Sequence, residues 1–329
     1  MNFLRIATKR ILNAGAVLFT VLVLNFVLIH LAPGDIVEVI VGEMGGASEE
    51  QVEQIRAQYG LDKSLLEQLW IYLKKMARGD MGYSYYFGMP VNDLILPRFP
   101  ATILLVASSL LLAVTVGAFL GVLSSRNPES FTSNVVTVLS LVGYAAPVFW
   151  TGIMLLIVFA LFIPVFPVSG MYDIAKEGGR LMRMWDILHH LILPMVTLAI
   201  LNLAVYSRLA RASMLDVLGS DYIRTARAKG MTQNVVIYKH ALRNAILPVV
   251  TMTGLQMGQI FAGAVVVETV FNWPGLGQLA FETILRRDTP TLLAILLFST
   301  FMVVVANLLT DLSYTLIDPR IRTDHNREA

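Results

Sequence analysis

The sequence predicts an all-α polytopic membrane protein, and its composition and apolar patterning carry that prediction. Of 329 residues, 56% are hydrophobic and only 15% are charged, whereas soluble domains carry about 25% charged residues. Several apolar stretches reach the roughly 20 residues that a helix needs to cross a bilayer. Cysteine is absent, which excludes a disulfide framework, a thiolate metal site and a cysteine nucleophile. The formal net charge of +2 gives no argument for binding nucleic acid.

Six segments are predicted to cross the membrane. Pro147 lies inside the third, where proline ends or kinks a helix because it lacks the N–H donor and clashes with the preceding turn. A cleaved signal peptide is the alternative for the first segment, which follows a basic flank, but its apolar stretch exceeds the usual length and favours a retained helix. The segments are Ile11 to Leu31, Ala101 to about Leu123, one crossing within Ser130 to Tyr172, about Leu191 to Ala210, Ile246 to Val270 and Thr291 to Leu316.

The distribution of charge sets the direction of these spans. Lys and Arg are retained on the cytoplasmic side of short loops, and the two most basic flanks are the N-terminus and the segment from Arg208 to Arg243. An even number of spans must separate them, so Ser130 to Tyr172 crosses once. Cytoplasmic segments then hold 14 basic and 7 acidic residues, and external segments hold 11 and 16. Both termini are therefore expected in the cytoplasm.

The external segment at residues 32–100 is too polar to span and is expected to be helical. Ser48 and Gln51 form a capping-box pattern, and a second helix, about Ser64 to Arg78, has an apolar face. That face either packs on the neighbouring helix or the membrane domain, or serves as a docking surface for an external partner. The expected organisation is a cytoplasmic tail and first span at 1–31, the external segment at 32–100, a membrane domain at 101–317 with a cytoplasmic loop at 212–245, and a cytoplasmic tail at 318–329.

The cytoplasmic loop has a defined local pattern. Ser220 or Asp221 can cap a short helix, and Gly230 stops it because glycine tolerates the left-handed conformation at a helix end. Thr232 can cap a second helix that leads to Pro248 at the start of the fifth span. A short helix held between two spans would suit force transfer from a cytoplasmic partner, while a positively charged loop that only fixes topology is the alternative.

These residues resemble the permease subunits of bacterial ABC importers, and most of all the dipeptide/oligopeptide/nickel branch. The run from Arg224 to Gly230, followed by Leu247-Pro248, is similar to the signature loop of that family, although Arg224 and Thr225 replace its first Glu and Ala. Further similar motifs extend along nearly the whole chain. They are Ala32-Pro33-Gly34-Asp35, Tyr59-Gly60-Leu61-Asp62, Gly79-Asp80-Met81-Gly82, Asp221-Tyr222-Ile223, His240-Ala241-Leu242-Arg243-Asn244, Phe271-Asn272-Trp273-Pro274-Gly275-Leu276-Gly277 and Asp318-Pro319-Arg320.

The resemblance implies the type I importer permease fold and a transport role. Such a permease pairs with a second, homologous permease, contacts two ATP-binding subunits that hold ATP and Mg, and receives cargo from an extracytoplasmic substrate-binding protein. Peptides are the commonest cargo implied, and nickel or another small solute is the alternative. Coupling to the ATPase would reside in Asp221, Tyr222, Ile223, Arg224, Thr225, Ala226, Arg227, Ala228, Lys229 and Gly230.

The chain itself is not expected to be an enzyme or to bind a cofactor. A phosphate-binding loop needs a Gly-Lys pair, and none occurs. The glycine run that starts at Gly275 follows a span and not a strand, so it predicts an external turn and not a dinucleotide site. His189 and His190 are adjacent and do not form an i, i+4 metal pair. An ion-coupled secondary transporter remains the alternative from another class.

Polar residues inside the spans are candidates for the cargo path, because unpaired polar groups are costly in hydrocarbon and tend to face the bundle interior. Hydrogen bonding between helices is the alternative role for the amides, and structural pairing is the favoured alternative for the acidic residue. The candidates are Asn202, Gln256, Gln259 and Glu268.

Overall fold

The computed structural model describes residues 2–31, 63–84, 86–176 and 178–317, with residues 41, 46, 48 and 50–53 between the first two ranges. Helices dominate the described residues and cover all six predicted spans. A two-stranded antiparallel hairpin directly precedes the helix of the second span. The elements are α1 Asn2–Leu31, α2 Leu65–Ala77, β1 Tyr83–Ser84, β2 Met89–Pro90, α3 Val91–Arg126, α4 Phe131–Ala145, α5 Val148–Leu156, α6 Arg180–Leu218, α7 Asp221–Ala228, α8 Gln233–Val235, α9 Leu242–Ala245, α10 Leu247–Val270, α11 Leu276–Arg286 and α12 Thr289–Ile317. The π-helical segments Ile157–Phe162 and Val236–Ala241 extend α5 and α8.

Within the part of the chain that the structure describes, four helices are long and apolar enough to cross a membrane by themselves: Arg10–Leu28 within α1, then α3, α6, and Thr289–Leu308 within α12. The third predicted span is a pair, α4 and α5, whose axes are bent by 105°. The fifth, α10, has 24 residues. All six predicted spans are therefore helical, and the third is divided into two helices at Pro147.

Pro147 causes the break in the third span. It follows Ala146, whose ψ of 131° is extended and not helical. A residue before proline avoids the α conformation because the proline ring crowds its backbone. Helix α4 therefore ends at Ala145, and α5 restarts with Pro147 as its N-cap residue.

Two compact units divide the chain, and the first comprises Met1–Pro100 with Leu279–Val305. In this unit Asn25 of α1 donates a hydrogen bond from Nδ2 to the carbonyl oxygen of Leu293 in α12. The hairpin is tied to the start of α12, since the Ser84 hydroxyl donates to Asp288 Oδ2 at 2.6 Å. Asp288 Oδ1 accepts from the backbone N–H of Thr291, so one buried carboxylate both caps α12 and holds the hairpin.

In the second unit, Ala101–Gln278 with Ala306–Ala329, the described residues form three apolar clusters along α3 and α6, and α10 contributes to two of them. They are called outer, middle and inner after the orientation that the sequence predicts. The outer cluster includes Ala101, Leu198 and Trp273, and the middle cluster includes Ala113, Tyr206 and Val249. The inner cluster includes Val122, Met214 and Ala245. Residues 101 and 122 are separated by about 31 Å along α3 at about 1.5 Å per residue. The outer and inner clusters therefore lie at opposite faces of a bilayer-thick core.

Two glycines of α3 allow its close approach to α6. A Cβ atom at Gly117 would lie 2.8 Å from Tyr206 Cβ, and one at Gly121 would lie 2.5 Å from the carbonyl oxygen of Ser207. Small residues four positions apart let two membrane helices bring their backbones together. The spacing Gly-Ala-Phe-Leu-Gly at residues 117–121 is the sequence signal for this close contact.

Local predictions for the external segment are confirmed where the structure describes the residues. The backbone N–H of Ser48 donates to Gln51 Oε1 at 2.9 Å, as the capping box requires. The second helix begins at Leu65, and its first turn is closed by Ser64, whose N–H donates to Glu67 Oε2. Three predicted motifs, at residues 32–35, 59–62 and 318–320, lie outside the described residues.

Candidate coupling site

The candidate site is α7, a helix of eight residues that lies at the inner end of the second unit. Its N-cap residue is Ser220, whose backbone carbonyl accepts from Ile223 and Arg224. The Ser220 hydroxyl donates to the carbonyl of Val217 at 2.6 Å and does not cap the helix. Asp221 lies in the first turn and Arg227 in the last turn. Both charges stabilise the helix, because its N-terminus carries partial positive charge and its C-terminus partial negative charge. The predicted start of this helix is confirmed.

Gly230 ends the helix as the sequence predicts. Its φ is +77°, in the left-handed region that favours glycine. The N–H of Gly230 donates to the carbonyl of Arg227, and the N–H of Met231 donates to that of Ala226. These two bonds form a Schellman motif, in which the last carbonyls of a helix regain donors. A Cβ at Gly230 would meet no atom within 4 Å, so backbone conformation and not crowding selects glycine there.

The inner face of α7 is packed into the inner cluster. Ile223 is fully buried and Ala226 is 6% exposed. They contact the end of α3 through Val122 and the end of α6 through Met214. The same cluster holds the π-helical segment and α9 through Val236, Ile237, Ala241 and Ala245. Helix α7 is therefore attached to the ends of the membrane helices and not suspended in a free loop.

The outer face of α7 is polar and exposed. Arg224 forms an ion pair with Asp221 of the same helix at 3.3 Å, and the Tyr222 hydroxyl accepts from Asn244 Nδ2 of α9 at 2.8 Å. This face carries an excess of positive charge and one small residue. Its members are Asp221, Tyr222, Arg224, Thr225, Arg227, Ala228 and Lys229.

The two alanines of α7 thus differ in their surroundings, which sequence reasoning could not tell apart. Both belong to the segment to which the family resemblance assigns coupling to the ATPase. Ala226 faces the protein's own core, whereas Ala228 is exposed on the outer face. Only Ala228 is accessible to a docking partner in this arrangement.

The second predicted helix of the loop is confirmed, with a local irregularity. Thr232 is the N-cap residue of α8, and the chain continues through the π-helical segment and α9. Pro248 lies in the first turn of α10, where its missing N–H would have had no partner in any case. The loop is thus helical on both sides of Gly230.

The pathway candidates are in different environments. Asn202 is buried and donates to the carbonyl of Leu198 in its own helix at 3.1 Å. Gln256 is also buried. Gln259 lies on α10, and its side chain falls outside the described residues.

Glu268 is fully buried and lies at the outer end of the second unit, where its carboxylate joins three parts of the chain. Oε1 accepts from the Thr102 hydroxyl at 2.7 Å. Oε2 accepts from the backbone N–H of Gly277 at 2.6 Å and of Gln278 at 3.1 Å. The Thr102 hydroxyl in turn accepts from Leu276 N–H at 2.8 Å. These bonds satisfy N–H groups in the first turn of α11 that have no partner within the helix, and they favour structural pairing over a pathway role.

The glycines of the Trp-Pro-Gly-Leu-Gly run make this corner possible. A Cβ at Gly275 would overlap the Glu268 carboxylate, and one at Gly277 would lie 2.5 Å from Val265 Cα. Trp273 closes the corner by donating from Nε1 to the carbonyl of Ala101 at 2.9 Å. The run forms a tight turn between α10 and α11, which confirms the predicted turn.

The adjacent histidines make structural bonds. His189 Nε2 is 2.8 Å from the carbonyl oxygen of Val165, and His190 Nδ1 is 2.8 Å from that of Asp186. Asp186 accepts from Lys176 Nζ at 2.8 Å, and this bond raises the pKa of the lysine. Among the described residues, no three His, Asp or Glu side chains group so as to hold a metal ion.

The fold and this geometry define a helical, polytopic membrane protein whose core presents a short, basic helix at one end. The chain belongs to the family of binding-protein-dependent transport system inner membrane components, whose profile matches residues 113–323. A second profile, for the N-terminal part of such membrane components, matches residues 3–106. The chain is accordingly a membrane component of a transport system.

Similar proteins cover almost the full length. The chain is 40% identical over 314 residues to the oligopeptide transport system permease protein AppB of Bacillus subtilis, covering 95% of this chain and 98% of that protein. It is 40% identical over 319 residues to the dipeptide transport system permease protein DppB of Escherichia coli K12, covering 91% and 93%. The crystal structure of an amino acid ABC transporter with histidines shares 17% identity with this chain, with a TM-score of 0.48 over 67% of this chain and 92% of that chain.

Proposed function

We propose that this chain is the permease subunit of an ATP-driven importer and forms, with a second homologous permease, a pathway for di- or oligopeptides. An external binding protein delivers the peptide, and two ATP-binding subunits supply the energy. The proposal is supported by the relatives named as oligopeptide and dipeptide permeases at 40% identity over more than nine-tenths of the chain. ATP and Mg are held by the partner subunits.

The observation that carries the coupling part is the two-faced burial of α7. Its exposed face, which includes Arg224, Arg227 and Ala228, is free to enter a groove on an ATP-binding subunit. Its inner face is packed on the ends of α3 and α6 through Ile223 and Ala226. A displacement of α7 by the ATP-binding subunit is therefore transmitted to the membrane helices α3 and α6. A ligand that binds one conformational state of the transporter more tightly shifts the equilibrium towards that state. This role requires α7 and both chain termini to be cytoplasmic.

The cargo path is proposed along α6 and α10. Asn202 and Gln256 are the amides inside these spans whose side chains are described, and both are buried in the single chain. Gln259, one turn from Gln256, is the third proposed member. Amides in a wet cavity suit peptide cargo because they donate to and accept from a peptide backbone.

Ala228→Trp tests the coupling proposal. Because Ala228 is exposed, a bulky side chain there leaves the chain's own core intact and blocks close docking. We expect loss of ATP-dependent uptake with normal membrane insertion and normal pairing with the second permease. Ala175→Trp is the matched control, since Ala175 is exposed in the loop before α6. Undiminished uptake by Ala228→Trp, or uptake without any ATPase subunit, would contradict the proposal.

Cargo requires a separate measurement. The transporter is reconstituted in vesicles with its binding protein, and uptake of a labelled dipeptide and of Ni²⁺ is followed in parallel. We expect peptide accumulation that unlabelled di- and oligopeptides inhibit. Accumulation of Ni²⁺ alone would overturn the peptide assignment while leaving the coupling proposal intact.

A further inference from the structure

Helix α2 packs one of its faces on the outermost turns of α1. Gln68 Oε1 lies 2.8 Å from His30 Nε2. One turn further along α2, the Tyr72 ring centroid is 6.0 Å from that of Phe26, and Tyr72 is hydrogen-bonded to Asn25. The position of α2 along α1 is therefore fixed by contacts on two successive turns.

Those contacts define the depth of α2 in the membrane. The apolar span in α1 is Arg10–Leu28, so Asn25 and Phe26 lie inside it and His30 lies two residues beyond it. At about 1.5 Å per residue, these three residues are within about 5 Å of the end of the span. Asn25 also bonds the carbonyl of Leu293, four residues after α12 begins, so a second span gives the same level. Helix α2 consequently lies at the boundary between hydrocarbon and headgroups.

The opposite face of α2 is exposed and graded from apolar to charged. Leu66 is 79% exposed and Trp70 is 68% exposed. Successive helical residues are rotated by about 100°, which places Lys74 next to Trp70 and Arg78 on the far flank. Glu67, on that same flank, is held by the Ser64 cap.

We propose that α2 is an interfacial helix that inserts Leu66 and Trp70 into the lipid leaflet at the C-terminal end of α1. Lys74 and Arg78 face the lipid phosphates from the polar flank. Helices with large apolar side chains on one side and Lys or Arg on the other lie in this plane, and Trp is enriched there because its ring is apolar with one polar N–H. An apolar cluster of this size at headgroup depth is covered by lipid without any further protein.

The proposal gives α2 a task distinct from transport. Lipid contact on α2 holds the C-terminal end of α1 at a fixed depth and so steadies the first unit in the membrane. It does not depend on the cargo or on the ATPase proposed above.

The absence of cysteine makes site-directed spin labelling direct. Leu66→Cys and, as the matched control on the same helix, Arg78→Cys are labelled in the full chain and reconstituted in vesicles of phosphatidylethanolamine and phosphatidylglycerol. Collision of the nitroxide with oxygen, which concentrates in lipid, is compared with collision with a water-soluble nickel chelate. We expect the logarithm of the oxygen-to-nickel ratio to be positive at Leu66 and to change sign at Arg78.

Two other results would overturn the proposal. Preferential collision with nickel at Leu66 would mean that the face projects into water, where it is open to an external binding protein. Protection from both reagents would mean that protein covers it. An independent readout uses the unlabelled chain in vesicles with brominated acyl chains, where Trp70→Phe should remove part of the quenchable tryptophan fluorescence. No change in quenching on that substitution would equally overturn it.

Discussion

Replacing Gly121 with alanine puts a methyl group against the backbone of α6. Its Cβ would lie 2.5 Å from the carbonyl oxygen of Ser207 and 2.6 Å from Ala210 Cβ. Neither atom belongs to a long side chain that can rotate away, so α3 and α6 must separate. Overpacking of this kind costs about 1–3 kcal/mol, and the rigid contacts place Gly121 at the upper end.

Gly15→Ala is the matched control for this prediction. Gly15 is also inside a membrane helix, but a Cβ there meets no atom within 4 Å in the described chain. Alanine favours a helix over glycine by about 1 kcal/mol, and this gain is common to both variants. Their difference in unfolding free energy therefore isolates the packing cost, about 3 kcal/mol, which is about 100-fold in the unfolding equilibrium constant.

Unfolding of the purified chain in mixed micelles of increasing SDS content measures both variants on one scale. We expect Gly121→Ala to unfold at lower SDS than wild type and Gly15→Ala at equal or higher SDS. If the two variants shift together, close packing of α3 on α6 does not limit stability, and the contact at Gly121 is not the one described.

Three further predictions concern the outer corner, the coupling helix and the loop before α6. Glu268→Ala leaves buried N–H and hydroxyl donors without an acceptor and should lower the unfolding free energy by about 3 kcal/mol or more. Glu268→Gln keeps a carbonyl oxygen and should lower it less. SDS unfolding measures both variants, and equal losses of stability would refute this hydrogen-bonding scheme. Gly230→Ala should lower the stability of α7 by about 1 kcal/mol because alanine is strained in the left-handed conformation. Gly230→Asn should lower it less, since asparagine tolerates that conformation. Hydrogen exchange of the α7 amides measures the difference, and faster exchange in the asparagine variant than in the alanine variant would contradict the prediction. Asp186→Ala removes the oxygens that accept from Lys176 Nζ and from the Asp173 N–H and should speed proteolysis of the loop at 163–179. Asp216→Ala, at an exposed position, should not. Unchanged cleavage in the Asp186 variant would exclude the anchoring role.

Much of the fold followed from local sequence. The six spans were found because the length of an apolar stretch needs no knowledge of its neighbours. Pro147 marked the break in the third span but not its 105° bend, which depends on how α4 and α5 each pack on α6. The ends of α7 were predicted because helix initiation and the glycine stop depend on adjacent residues only.

The roles of single side chains in the candidate site were less accessible. From the sequence, Ala226 and Ala228 are equivalent candidates for coupling to the ATPase. In the structure, Ala226 is a core residue and Ala228 is exposed. A helix of eight residues has no long periodic pattern from which to assign a buried face. Only the surrounding helices, through Val122 and Met214, decide which side of α7 is free.

By itself, the sequence determined that the protein is a helical membrane protein, where its spans lie and where the short basic helix starts and stops, because each of these depends on neighbouring residues. Tertiary structure decided that Glu268 bonds Thr102, 166 positions away, and that α2 lies at the depth of Phe26. Such pairings depend on how spans pack across the chain, and no local pattern encodes a contact between residues so far apart.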